Sequence, residues 1–153
     1  MTIEDIPQVK RVAIKSWHAT YANIIPLDVQ NNFLKKAYSE ERLLVRLSKS
    51  PFYVAKLDNK LIGFANFSNK NSVGNVELAA IYLDTDFQQQ GVGTALLLFG
   101  IEQLRPTQVS INVEAENKLG RQFYEAKGFQ VIDRFEEEFD GHILKTIRMV
   151  LDL

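Results

Sequence analysis

The stretch Leu83–Gly100 reads "LDTDFQQQGVGTALLLFG": an apolar strand end, two glycines one residue apart, then an apolar run with helical length. Glycines placed between a strand and a helix let the backbone come close to another group. The first-turn N–H groups of a helix have no partners inside it, and the helix dipole places partial positive charge there. Gln90, Gly91, Val92, Gly93 and Thr94 can therefore turn several N–H groups toward one anion. The missing Cβ atoms at Gly91 and Gly93 let phosphate oxygens approach the main chain. A pyrophosphate suits this arrangement. A Walker loop is excluded, because the Gly-Lys-Ser/Thr ending is absent, and a dinucleotide fingerprint fails because Leu96 stands where its third glycine belongs. On these residues alone, a glycine turn that binds nothing stays open.

The composition narrows the chemistry. At 153 residues the chain suits a single domain, 1–153, with a core that buries roughly 70% of the unfolded surface. Hydrophobic residues make up 46% and the formal net charge is −1, so no overall basic field recruits nucleic acid or a membrane. There is no cysteine, which removes disulfides, thiolate nucleophiles and zinc–thiolate sites. With only His18 and His142 as histidines, no metal centre is expected. Met1 leads into "TIEDIPQVK" rather than a basic and then apolar leader, so a cytoplasmic location is the expectation.

Patterns along the chain set the order of elements. Thr2 with Asp5 resembles a helix start, and Ile6, Val9, Ala13, Trp17 and Tyr21 follow at helical spacing. Helices are expected over 27–37 and, after Ser39 as N-cap, over 40–47. "FYVAKL" and "LIGFANF" flank Asp58-Asn59 as a hairpin, and "VELAAIYL" reads as a strand covered on both faces. A helix over 91–104 leads to the strand "VSINV", then a helix capped by Asn117 and stopped at Gly128. "FQVIDRFEEEF" and "HILKTIRMVLDL" form a last hairpin about Asp140-Gly141. The spacing predicts an α+β fold, a mixed sheet of about six strands with helices on both faces. "ALLLFGI" is apolar nearly all round, which burial under the N-terminal helices or a homodimer contact would explain.

Gln88-Gln89-Gln90-Gly91-Val92-Gly93 resembles the Gln/Arg-x-x-Gly-x-Gly/Ala motif of the GNAT superfamily of acyl-CoA-dependent N-acetyltransferases. "INVEAENKLGRQFYEAKGF" is similar to that superfamily's following strand–helix segment, with Asn117, Phe123-Tyr124 and Gly128-Phe129 in matching places. The chain departs from the pattern at Gln89, often glycine in the family, near Gln90, where a basic residue is frequent, and in a first strand that is short or missing. The resemblance implies a mostly antiparallel sheet and acetyl-CoA as co-substrate. Its pyrophosphate would lie over Gln88 to Thr94, and its pantetheine arm would pair with the main chain of Ile81, Tyr82 and Leu83 and with Asn117.

The same resemblance gives Tyr124 the role of acid toward the departing thiolate, although beside Phe123 and Phe129 it also reads as core. Glu77, by its offset upstream of Gln88, resembles the catalytic glutamate of histone-acetylating members; a proton path along ordered water is the alternative. "SWHATYANIIP" is similar to a segment near the acceptor cleft of several members, polyamine acetyltransferases among them. Trp17 and Tyr21 share a helix face and can hold an alkylammonium by cation–π contact, or simply pack in the core. Glu136 and Glu138 share one strand face and read as a solvated edge. The expected activity is acetyl transfer to a primary amine of a small molecule, polyamine-like, by direct attack in a ternary complex. A peptide or protein amine, or a CoA-sensing module without turnover, are the rivals.

Overall fold

A computed structural model describes residues 1–153. Helix α1 (Ile6–Thr20) starts after a 3-10 turn in which Thr2 N–H donates to Asp5 Oδ2 at 2.8 Å, and Pro7 near its first position suits a helix start. Helices α2 (Leu27–Ala37) and α3 (Glu40–Lys49) follow, the second capped by Ser39, whose hydroxyl accepts from Arg42 N–H. Strands β1 (Phe52–Leu57), β2 (Lys60–Phe67) and β3 (Asn75–Leu83) form a meander. Asp58 and Asn59 both have positive φ, as their tight hairpin requires. Helix α4 (Val92–Leu104), strand β4 (Gln108–Glu114), helix α5 (Lys118–Ala126) and the hairpin β5 (Gln130–Phe139) and β6 (His142–Asp152) complete the chain. No strand precedes α1.

The six strands lie in the order β1-β2-β3-β4-β6-β5, all neighbours antiparallel except β3 and β4. That parallel pair is short. Only Asn75, Val76 and Glu77 face partners on β4, and beyond Glu77 the strands part. On β3, Ala79 is an extra residue in the ladder with β2, because Asn66 faces Ala80 while Phe67 faces Leu78. A bulge of this kind bends a strand and re-aims its side chains. Val76 and Leu78 accordingly pack with one core, and Ala80 and Tyr82 with the other.

The cores lie on opposite faces of the sheet. One gathers Val9, Val12, Trp17, Leu34, Tyr38 and Leu43 of the first three helices over Phe64. The other places Leu96 and Leu97 of α4 and Tyr124 of α5 against Phe67, Ile111 and Met149. Gly100 brings α4 close to the sheet: a Cβ there would stand 2.3 Å from the Phe67 ring. The apolar α4 is thus not covered by the N-terminal helices, which pack on the other face. It leaves Leu98 and Phe99 exposed. No helix is long and apolar enough to cross a membrane.

Asp84 directly follows β3 and is fully buried. Its carboxylate accepts from Arg11 Nη1 at 2.9 Å, Lys15 Nζ at 2.7 Å and Asp86 N–H at 3.1 Å, so α1 is tied to the loop that follows the strand. Arg11 Nη2 also donates to Leu61 O, at 2.9 Å. Burial on its own would raise the Asp84 pKa; hydrogen bonds from Lys15, Arg11 and the Asp86 amide override it and hold the group well below its ordinary 3.8. A depressed carboxylate contributes stability that is present above the unfolded value and lost as pH falls through the folded one. Arg11 and Lys15 are about two-fifths exposed, which screens the pairs. Asp84→Asn should therefore lower the unfolding free energy by about 2 kcal/mol near neutral pH. In urea melts that gap should narrow only below pH 3.8; a gap that is constant into acid would refute the assignment.

Candidate active site

The parting of β3 from β4 opens a cleft of about 620 Å3 through the sheet. One wall is the main chain of β3 from Leu78 to Leu83, with its free edge toward the gap. The other is β4 at Asn112 and Val113 together with α5, and Ser16, Ala19 and Thr20 of α1, with Tyr21 directly after it, border it from the second face. The mouth lies where β3 runs into the glycine loop, at Gln88, Gln89, Gly91, Gly93 and Thr94.

None of the main-chain N–H groups from Gln88 to Thr94 donates to another backbone group. The first helical bond into α4 is Ala95 N–H to Gly91 O, and no side chain caps the helix. This row of amides at the positive end of a thirteen-residue helix is suited to an anion with several oxygens. Gly91, the N-cap, has φ 84° and open space where a Cβ would be. Gly93 differs: a Cβ there would stand 3.2 Å from the Phe123 ring, so this glycine lets α4 and α5 approach. Gln89 has φ 62°, the left-handed region that favours glycine. The Gln90 side chain turns away to Asp86 O and Val92 packs toward the core, so both offer the cleft only their amides.

Asn117 caps α5, its Oδ1 accepting from Gly120 N–H at 3.0 Å. A Cβ at residue 120 would collide with Asn117, at 2.7 Å from its Nδ2, so Gly120 makes room for the cap. Asn117 also lines the cleft, with its side-chain amide beside the Tyr21 phenol. Free edge groups at Ile81 and Leu83, a side-chain amide opposite, and an amide cradle at the mouth together fit a long amide-bearing chain ended by phosphates. Coenzyme A has that form.

Tyr124 packs against Phe123 and Phe129, with ring centroids 5.3 and 5.4 Å away, and also borders the cleft. Both roles in the sequence reading, core residue and site residue, are thus compatible. Burial, with the Tyr21 phenol as a smaller influence, pushes its pKa above the ordinary value, so the phenol stays protonated across the physiological range. Burial, then the Glu114 carboxylate, pushes Tyr21 up to about 12.

Glu77 lies outside the cleft. It sits in the short stretch where β3 and β4 still pair, opposite Ser110; its N–H donates to Ser68 Oγ and its carbonyl accepts from Ser68 N–H. Trp17 stacks on Phe33 at 4.4 Å, meets the Tyr21 ring at a tilt of 52° at 4.5 Å, and belongs chiefly to the core. His18 pairs with Asn31 on the surface. The middle glutamate of the acidic run, Glu137, shares a face with Phe135 and Phe139 and borders a smaller recess beside the cleft; Glu136 and Glu138 point the other way. The flanking phenylalanines carried that signal. Ser16, Ala19 and Thr20 were also missed, although small residues at helical spacing before Tyr21 mark a face that leaves room.

Known proteins share the sequence pattern and the fold. The chain is 29% identical over 148 residues to a spermidine N(1)-acetyltransferase of Thermoplasma acidophilum, covering 91% of each. Its fold matches the crystal structure of the PaiA N-acetyltransferase of Thermoplasma acidophilum in complex with coenzyme A, with a TM-score of 0.85 and 26% identity over 100% of this chain and 96% of that one. The ribosomal-protein-S18-alanine N-acetyltransferase of Escherichia coli shares the fold, with a TM-score of 0.71 at 21% identity over 99% of this chain and 90% of that one. The model of the acetyltransferase (GNAT) family matches residues 13–129, and the chain belongs to that family.

Proposed function

We propose that the chain transfers an acetyl group from acetyl-CoA to the primary amine of a small molecule, with a polyamine-like acceptor favoured, by direct attack while both substrates are bound. The observation that carries this is the free β3 edge leading into an unpaired row of amides at the start of α4. Resemblance to a spermidine acetyltransferase supports the choice of acceptor.

When bound, acetyl-CoA supplies a thioester, an acyl group already activated toward an amine. The protein's share is positioning and proton management. Edge groups of Ile81 and Leu83, on either side of Tyr82, hold an amide-bearing arm as an added strand would be held, and Asn117 Nδ2 offers a donor across the gap. The amides of Gln88 to Thr94 receive the pyrophosphate. Fixing one reactant this way converts a two-body encounter into a local one, which is where much of the acceleration arises.

An alkylammonium with a pKa of about 10 is neutral in about one molecule in a thousand at pH 7, a handicap of about 4 kcal/mol. The excess proton has to leave before attack. Glu77 is badly placed to take it, which favours the other route, passage along water in the cleft. Tyr124 serves at the opposite end. A thiolate is a weaker base than a phenolate, so a phenol with a raised pKa acts mainly as a hydrogen-bond donor to charge developing on sulfur. The reaction needs no covalent intermediate on the enzyme.

Tyr124→Phe should lower kcat about a hundredfold in a free-thiol assay while the Kd for acetyl-CoA changes by less than about threefold. Tight cofactor binding without thiol release from any amine would replace the enzyme by a CoA sensor. Gln89 offers a second test. Its left-handed backbone costs about 1 kcal/mol, so Gln89→Gly should leave or raise the melting temperature and keep the cofactor Kd within about twofold. A tenfold weaker Kd would show that the Gln89 side chain itself holds the ligand.

A further inference from the structure

We propose that Ser16 and Thr20, one turn apart on α1, accept hydrogen bonds from two N–H groups of the acceptor amine and so restrict the enzyme to primary amines. The proposal rests on the acetyl-transfer reading and names the residues that orient the attacking nitrogen.

Helix α1 buries Ile6, Val9, Val12 and Ala13 in the core on its side of the sheet. Ser16 follows Val12 by one turn and Thr20 follows Ser16 by another, so the same row changes from apolar to hydroxyl-bearing. The change comes where β3 has left β4, and both residues border the cleft. Ser16 is 3% exposed, yet its hydroxyl has no hydrogen-bond partner in the protein. It is not sealed in the core either. The sealed side-chain atoms without partners are Trp17 Nε1 and Gln30 Oε1, so the Ser16 oxygen opens on the cleft. Thr20 Oγ1 is likewise unengaged. Serines at the end of α3 behave differently: Ser48 Oγ donates to Val45 O at 3.0 Å and Ser50 Oγ to Arg46 O at 2.7 Å, each on its own backbone. Hydroxyls left free of the backbone beside a cleft are available to what the cleft binds.

Helix neighbours at this spacing have Cβ atoms about 5–6 Å apart, a span that one nitrogen bridges with two hydrogen bonds of about 2.9 Å. An alkylammonium has three N–H groups. With two directed at Ser16 Oγ and Thr20 Oγ1, the third points away from α1 into the gap. Once that proton passes to water, the lone pair takes its direction, toward the arm that β3 would hold. The lack of charge on the pair matters. A carboxylate beside the nitrogen would favour the ammonium and deepen the cost of deprotonation, whereas hydroxyls discriminate less between the two forms. No charged side chain borders the cleft from α1: Arg11 and Lys15 are engaged with Asp84 and Asp86, and Glu116 and Lys118 stand on the α5 side. A secondary amine brings one N–H fewer, and its extra alkyl group takes the place of one of these hydrogen bonds.

The test compares 1,4-diaminobutane with its N,N′-dimethyl derivative, which has the same chain and charge and one N–H fewer at each nitrogen. Free-thiol release would be measured with acetyl-CoA, and binding of each amine to the CoA-loaded protein by calorimetry. For the wild type, kcat/KM and affinity should both favour the unmethylated diamine about tenfold or more. Thr20→Val, which keeps the shape and removes the hydroxyl, and Ser16→Ala should each cut that ratio about tenfold while the Kd for acetyl-CoA stays within about twofold. Thr20→Ser, smaller but still a hydroxyl, should retain the preference. Loss of the preference in Thr20→Ser as well would show that shape excludes the methyl group, and would overturn the proposal. Equal use of the two amines by the wild type, or a ratio unchanged in Thr20→Val and Ser16→Ala, overturns it and leaves acetyl transfer standing. Binding of neither amine overturns it too. Preferential binding of the diamine, lost in Thr20→Val and Ser16→Ala but without thiol release, supports the hydroxyl pair and overturns the enzyme reading.

Discussion

Two parallel strands that separate after three residue pairs are the constraint on which the rest of this molecule depends. A sheet interior normally leaves no backbone group unpaired, because each buried orphan is costly. Here β3 keeps its bonds to β2 while its other edge, from Leu78 onward, faces open space. The bulge at Ala79 bends β3 at the parting, and separate cores on the two faces keep the halves from closing. An interior edge of this kind is a strand position that a ligand can fill.

The loop at the end of the same strand repeats that logic with different groups. The amides from Gln88 to Thr94 are unpaired because α4 begins there and nothing in the chain caps it. Asp84, held by Arg11 and Lys15, fixes where the loop departs from β3 and ties that point to α1, the helix that carries Trp17 and leads into Tyr21. The amide loop and the α1 face beside the cleft therefore hang from one ion cluster. Asp84 and Asp86 together balance the charges of Arg11 and Lys15, so what the loop leaves unpaired is its row of oriented amides rather than a side-chain cation.

Much of the fold was legible because its elements are punctuated locally. Asp58-Asn59, Gly91, Asn117, Gly128 and Asp140-Gly141 each mark an end that the structure keeps, and strand and helix periods between them differ clearly. What was hidden was long-range. Neither the parting of β3 and β4 nor the bulge has a signal within "VELAAIYL", so Glu77 looked like a cleft residue when it lies in the paired portion. The side of α4 was hidden too, since an all-round apolar helix does not say which sheet face it covers. The exposed Leu98 and Phe99 follow from its place opposite the N-terminal helices. Gly93 looked like a phosphate contact and proves to be a packing contact with Phe123 as well, a distinction that needs α5 in place.

Burial has a consequence for the chemistry the cleft can offer. Tyr21 and Tyr124 both border it, and desolvation raises both phenols, Tyr21 to about 12. A phenol held that far above neutrality is a hydrogen-bond donor rather than a base, so neither residue competes for a proton released in the cleft. The packing that builds the two cores thus also fixes the protonation of the aromatic groups beside the gap between them.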